Sequence, residues 1–152
     1  DDPVVRKYAM QYLDKTEIVK EGQTYTIKDI TFTVPVRHIH PVETYGLVFH
    51  LNKTIGLIAD TRYFEQLPEF YRCDYLIANV LRKKPIKQHD TVAHLSIEDF
   101  ARIITEVKPK VAIMTHFGLS MIREKPYLLA ERLKEETGIE IVAAYDGMKW
   151  TF

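Results

Sequence analysis

The stretch Lys110-Val111-Ala112-Ile113-Met114-Thr115-His116-Phe117-Gly118 decides the fold. Its first five residues read as a buried strand, and that strand delivers a histidine to its carboxyl end. A helix with a clear start, Ser96 to Val107, precedes it. Ser96-Ile97-Glu98-Asp99 supplies a side-chain oxygen for an orphan N–H and an acid near the positive end of the helix dipole. Ile97, Phe100, Ala101, Ile104 and Val107 recur at helical spacing, and Pro109 stops the run. Downstream, a second helix starts at Pro126 and ends before Gly138, a C-cap residue. Ile139 to Ala144 and Met148 to Phe152 read as last strands around the turn Asp146-Gly147. Strand, helix, strand, helix, strand is an α/β pattern.

Upstream, Tyr75 to Val80 is a further apolar strand, and the polar residues 82–95, with Pro85 and His89-Asp90, read as a surface loop. Tyr45 to Leu51 and Thr54 to Ala59 form a hairpin through Asn52-Lys53 and lie deep in the sheet. Tyr63 to Tyr71 reads as a short helix interrupted by Pro68. Thr16 to Lys20, Thr24 to Ile27 and Ile30 to Val36 read as short strands, and apolar residues alternate with threonine in the last, as in a sheet with one buried face. Residues 4–13 have the spacing of a short helix.

The 152 residues make one domain, 1–152, with enough apolar content (46%) for a sizeable core. Lys+Arg and Asp+Glu balance at 21 each, so bulk charge gives no attraction for nucleic acid or an acidic membrane. A local basic patch remains open, and Leu81-Arg82-Lys83-Lys84-Pro85-Ile86-Lys87 is the candidate. The lone Cys73 cannot form an internal disulfide, which points to a cytoplasmic protein. No apolar run approaches the length of a membrane span. The chain opens on Asp1-Asp2-Pro3 without an initiator Met and is expected to be a processed product or a piece of something longer.

The chemistry-bearing residues gather at strand ends. Asp60 follows Thr54 to Ala59, His116 follows the Lys110 to Met114 strand, and His38-Ile39-His40 follows Ile30 to Val36. Neutral imidazoles and a carboxylate on rigid supports are what a transition-metal site needs. His38 and His40 alternate along an extended chain, so only one of them can point at a given site. Each residue also has an ordinary explanation: Asp60 as a helix cap, His116 as a loop histidine bonded to backbone, the His38/His40 pair as half-exposed strand-end residues. His94, just before the cap Ser96, either lines a pocket or lies on the surface. Asn79, in a very apolar strand, needs partners if buried and is a turn former or a site residue. His50 and His89 lack such context, and Cys73 reads as a core thiol.

Ile55-Gly56-Leu57-Ile58-Ala59-Asp60-Thr61 resembles the strand that carries the bridging aspartate in metallo-β-lactamase-fold hydrolases, with Ala59 in place of the usual Gly. Ala93-His94-Leu95-Ser96-Ile97-Glu98-Asp99, Lys108-Pro109-Lys110 and Met114-Thr115-His116-Phe117-Gly118 resemble that superfamily's closing segment. His38-Ile39-His40-Pro41 stands where the middle metal histidine is expected, and His40 matches best. The resemblance spans roughly residues 15–150. The superfamily's N-terminal His-x-His-x-Asp-His cluster has no counterpart here.

The resemblance implies the C-terminal βα half of an αββα sandwich, a mixed sheet with helices on one face. It implies a metal-dependent hydrolase in which two divalent ions, zinc first and iron or manganese as alternatives, activate water for attack on an ester such as a phosphodiester. His40, Asp60 and His116 would be the metal ligands, Asp60 bridging; His94 and Asn79 would serve the chemistry from beside them. The expected partner is the missing N-terminal half or a second copy, covering a sheet face too apolar for water. The rival reading is a non-catalytic regulatory or assembly module that keeps the fold without a complete metal site.

Overall fold

The computed structural model describes residues 7–85 and 92–151. After a single helical turn, α1 (Lys7–Met10), the chain lays down β1 (Thr24–Ile27), β2 (Ile30–Thr33), β3 (Leu47–His50) and β4 (Thr54–Ile58). A 3-10 turn (Leu67–Tyr71) leads to β5 (Tyr75–Arg82). Then come β6 (Leu95–Ser96), α2 (Ile97–Val107), β7 (Val111–Thr115), α3 (Leu119–Arg123), α4 (Pro126–Thr137) and β8 (Glu140–Ala143). The sheet runs β1-β2-β3-β4-β5-β7-β8, with β6 paired beside β5. β1 to β4 are antiparallel neighbours, whereas β4, β5, β7 and β8 are parallel. Parallel strands need crossovers: the 3-10 turn segment carries β4 to β5, α2 carries β5 to β7 and α4 carries β7 to β8.

Register divides the sheet into two unlike faces. Gly56, Ile58, Leu76, Ala78, Val80, Ala112, Met114 and Ile141 are buried. They pack in one core with Phe100, Ile103 and Ile104 of α2, Leu129 and Leu133 of α4, and Leu67 and Tyr71 of the 3-10 turn. On the other face the ladder aligns Tyr25, Phe32, Phe49, Ile55, Tyr75 and Val111 in one row across six strands. Every residue of that row is only half-buried. Tyr25 stacks on Phe32 at 5.6 Å between centroids, and Phe32 meets Phe49 at 5.9 Å. The helices therefore cover one face and leave an apolar face open.

The local signals around α2 act as expected. Ser96 Oγ accepts from the Asp99 N–H at 3.1 Å, and Asp99 Oδ2 accepts from the Ser96 N–H at 2.9 Å, a complete capping box. Gly138 closes α4 at φ 72°. Five expectations give way. Thr16 to Lys20 and Met148 to Thr151 are not strands, because none of the described residues offers them a ladder; extended segments without partners gain nothing from their propensity. Residues 34–36 leave β2 at Pro35, which cannot donate to a ladder. The segment from Tyr63 tightens into a 3-10 turn led by Pro68. β5 continues to Arg82, through the start of the expected loop, while His89-Asp90 lie outside the described residues. No helix among the described residues is long and apolar enough to cross a membrane.

Candidate metal centre

Because β4, β5 and β7 run parallel, their carboxyl ends meet at one edge of the sheet. Asp60 lies two residues past β4, Asn79 is in β5, and His116 is the first residue after β7. His94 immediately precedes β6 and the capped start of α2. His40 comes from the connection between β2 and β3. Asn79 Nδ2 donates to Asp60 Oδ1 at 2.9 Å. The Nε2 atoms of His94 and His116 lie 3.4 and 3.5 Å from the same oxygen. His94 and His116 are parallel rings, 5.5 Å apart at 4°, and His40 meets His94 edge-on at 5.3 Å. Ligand atoms of His40, Asp60 and His94 all fall within 4.8 Å of one another.

The backbone holds these groups in place. His116 adopts φ 61°, the left-handed region that a residue with a Cβ enters at a cost, and such strain concentrates at functional sites. Gly118 donates to the Leu81 carbonyl at 2.9 Å, and a Cβ there would stand 2.7 Å from that oxygen, so the His116 loop can lie this close to β5 only with glycine. The His40 loop is tied to the Asp60 segment at two points. The Ile39 N–H donates to Thr61 Oγ1 at 3.1 Å, and the Arg62 N–H donates to the Ile39 carbonyl at 3.0 Å. The Val42 N–H donates to His40 Nδ1 at 3.3 Å and Thr44 Oγ1 lies at the same distance, so Nε2 is the ring nitrogen left for a ligand.

Electrostatics favour an ionised Asp60 beside a neutral His94. Burial works to raise the Asp60 carboxyl, but the Asn79 hydrogen bond and the neighbouring His116, His94 and His40 outweigh it and hold Asp60 below its ordinary value. Burial pushes His94 down, Asp60 opposes, and His40 and His116 push the same way as burial. Its Nδ1 is buried with no hydrogen-bond partner among the described residues. Neutral imidazoles beside a carboxylate are a donor set that fits a borderline divalent ion. The arrangement suits binding a cation better than pairing charges, since two of the rings reach Asp60 only at the long end of an ion-pair distance.

The structure brings His40, Asp60 and His116 to one place, with His94 and Asn79 among them. His38 is elsewhere: it is 3% exposed, its Nε2 lies 2.6 Å from Tyr71 Oη, and burial pushes it down to about 4. Gly46 packs against this pair; a Cβ built there would run into Tyr71 Oη and the His38 ring. His50 bonds Thr33 Oγ1 at 2.8 Å in the sheet's antiparallel arm. Cys73 packs against Gly56, and burial raises its thiol to about 11. His89 lies outside the described residues. Sequence reasoning missed Thr61, fully buried, as the clamp between the two loops; the Asp60-Thr61 pair was the available signal.

A family model described as a beta-lactamase superfamily domain matches residues 4–117. An uncharacterized protein of Methanocaldococcus jannaschii is 32% identical over 152 residues, covering 96% of this chain and 54% of that protein. The chain thus spans about half the length of the curated relative it matches. Among solved structures, the metallo-beta-lactamase fold protein YhfI from Bacillus subtilis superposes with a TM-score of 0.72 at 21% identity, over 87% of this chain and 54% of its own. A diphosphatase from the PhnP family gives 0.65 at 23%, over 96% and 53%. The metallo hydrolase Igni18 from Ignicoccus hospitalis gives 0.68 at 13%, over 95% and 64%.

Proposed function

The chain belongs to the beta-lactamase superfamily and has the metallo-β-lactamase fold, and on that premise we propose that it serves a metal-dependent hydrolase acting on an ester, most naturally a phosphodiester. One observation carries the reading: a carboxylate held by Asn79 at 2.9 Å, with two imidazole nitrogens within 3.5 Å, at the carboxyl edge of parallel strands. His40, Asp60 and His116 would hold the metal, with Asp60 between the two histidines as the bridging ligand. A divalent ion bound there supplies a Lewis acid and water activated near neutral pH, with zinc best suited to this donor set. Asn79 fixes the carboxylate's orientation. His94, beside Asp60, would take up a proton from the attacking water and pass it to the leaving oxygen.

The grouping of His94 with His40 and Asp60 within 4.8 Å favours a second role for it, that of a fourth ligand. Metal content separates the two: His94→Ala loses turnover with the metal retained if it meets substrate, and loses metal if it is a ligand. The open apolar face and the length of the relative support a further part of this reading, a second layer over Tyr25, Phe32, Phe49 and their row, contributed by more chain or by another copy.

Asp60→Asn in the full-length protein tests the function. The amide keeps the shape but cannot offer two anionic oxygens, so phosphodiester hydrolysis and bound metal should both collapse while circular dichroism stays unchanged. A helix-cap role would tolerate Asn. Equal rates and equal metal content in the variant would overturn the proposal and favour the non-catalytic module.

A further inference from the structure

The loop that carries His40 crowds three groups onto one ring nitrogen. His40 Nδ1 lies 3.2 Å from the Val42 carbonyl oxygen, 3.3 Å from the Val42 nitrogen and 3.3 Å from Thr44 Oγ1. A neutral imidazole carries its proton on one nitrogen only, so the two Val42 contacts belong to different tautomers. With the proton on Nδ1, the ring donates to the Val42 carbonyl, and Nε2 keeps the bare lone pair that a cation needs. Donation from the Val42 N–H can form only while Nδ1 is bare. Nε2 then carries the proton and has nothing to offer a metal.

The Thr44 hydroxyl tips this balance. It donates to the Val42 carbonyl at 2.9 Å, the shortest contact of the group. That donation uses its one proton, so towards Nδ1 the same oxygen can only accept. A protonated Nδ1 therefore faces two acceptors, Thr44 Oγ1 and the Val42 carbonyl, whereas a bare Nδ1 faces one donor. The carbonyl has two lone pairs and can take the hydroxyl proton and the ring proton together. The hydroxyl is also held in place. The Thr44 carbonyl accepts from the His38 N–H at 2.9 Å, and the next residue, Tyr45, bridges to Arg37. The β-branched side chain has few rotamers open to it.

We propose that Thr44 is a positioning residue of the metal centre, holding His40 in the tautomer whose Nε2 is bare, so that the ring meets a divalent ion already in its ligating form. The inference rests on the hydrolase reading for His40 as a ligand. It goes beyond that reading by assigning the residue that prepares the ring. A His40 without this support would divide between two tautomers, and the share with a protonated Nε2 would have to move its proton before binding.

Ring-nitrogen NMR of the metal-free full-length protein reads the tautomer directly. A protonated and a bare nitrogen give well-separated signals, and the two converge when tautomers mix. The His40→Gln spectrum, from which the His40 signals are missing, assigns them. The wild type should show a protonated Nδ1 and a bare Nε2. Thr44→Val keeps the shape and removes the hydroxyl, leaving one acceptor against one donor, so the two signals should converge. Thr44→Ser should restore their separation. Zinc affinity, measured by chelator competition, should weaken about tenfold in Thr44→Val and recover in Thr44→Ser; this is the low end for groups that orient metal ligands, because the Val42 carbonyl remains. A bare Nδ1 in the wild type, the same ring signals in Thr44→Val, or equal zinc affinity in that variant overturns the assignment. If the wild type binds no zinc, the hydrolase reading falls by itself, and the ring signals alone decide the role of Thr44: convergence in Thr44→Val supports it, and unchanged signals overturn it.

Discussion

Asn79→Ala isolates the support beneath the carboxylate without touching any ligand. The residue's Nδ2 reaches Asp60 Oδ1 at 2.9 Å, a hydrogen bond to an ionised acceptor. Such bonds contribute about 1.5–3 kcal/mol net. The Asp60 side chain is 28% exposed, so water replaces part of the lost donor and the lower half of that range applies. About 1.5–2 kcal/mol corresponds to roughly 10- to 30-fold in an equilibrium constant, which falls inside the 10- to 100-fold typical of groups that orient metal ligands. Metal affinity of the full-length protein, measured by chelator competition, should therefore weaken by about 10- to 30-fold. Asn79→Asp gives the opposite lesion: a second carboxylate would face Asp60 in place of a donor, and one of the two would hold a proton until metal displaced it. Metal uptake by that variant should release more protons and depend more steeply on pH. Unchanged affinity in Asn79→Ala, with an unchanged circular dichroism spectrum, would refute the idea that Asp60 is a positioned ligand.

Three further outcomes follow from the structure. Ser96→Ala removes half of a buried capping box and should destabilise the fold by about 1 kcal/mol in urea melts, with looser metal binding because His94 leads directly into that cap. Cys73, held up to about 11 against its ordinary 9.0, keeps its proton longer folded than unfolded, so its contribution to stability is present below pH 9 and lost as pH rises toward 11; native alkylation by iodoacetamide should be slow at pH 8 and fast in denaturant, and equal rates would refute the burial argument. The isolated 152-residue chain should dimerise or bind an apolar dye through the face centred on Phe32, Phe49 and Ile55, and light scattering from a monomer that binds no dye would remove the second-layer proposal.

Local signals carried far into the structure where the chain decides its own conformation. Ser96 and Asp99 announce the start of α2, Pro109 and Gly138 punctuate two helix ends, and the apolar runs at Thr54, Tyr75 and Val111 are strands with one face packed under the helices and a ladder partner on each edge. Where a neighbour decides, the same reasoning stopped. Thr16 to Lys20 and Met148 to Thr151 have strand-like composition and no partner edge among the described residues. Placing a candidate residue at a strand end was possible from its own sequence. The approach of His94 to Asp60 was not, because 34 residues separate them and the gap closes only through the parallel pairings of β4 with β5 and of β5 with β6. The alternation of His38 and His40 could be read, but which of the two turns inward depends on Tyr71, whose hydroxyl takes up His38.

Gly46, His38 and Tyr71 form a knot whose consequence is historical rather than chemical. Any side chain at position 46 would occupy the space of the Tyr71 hydroxyl, and the tyrosine cannot retreat because it is fully buried among core residues. Loss of the tyrosine would in turn leave the buried ring of His38 without its 2.6 Å partner. No single substitution at these three positions leaves the other two satisfied, so descendants should change them as a set or keep all three. Aligned relatives would then show two discrete combinations with few intermediates, and the path between them would run through chains that fold less well than either end.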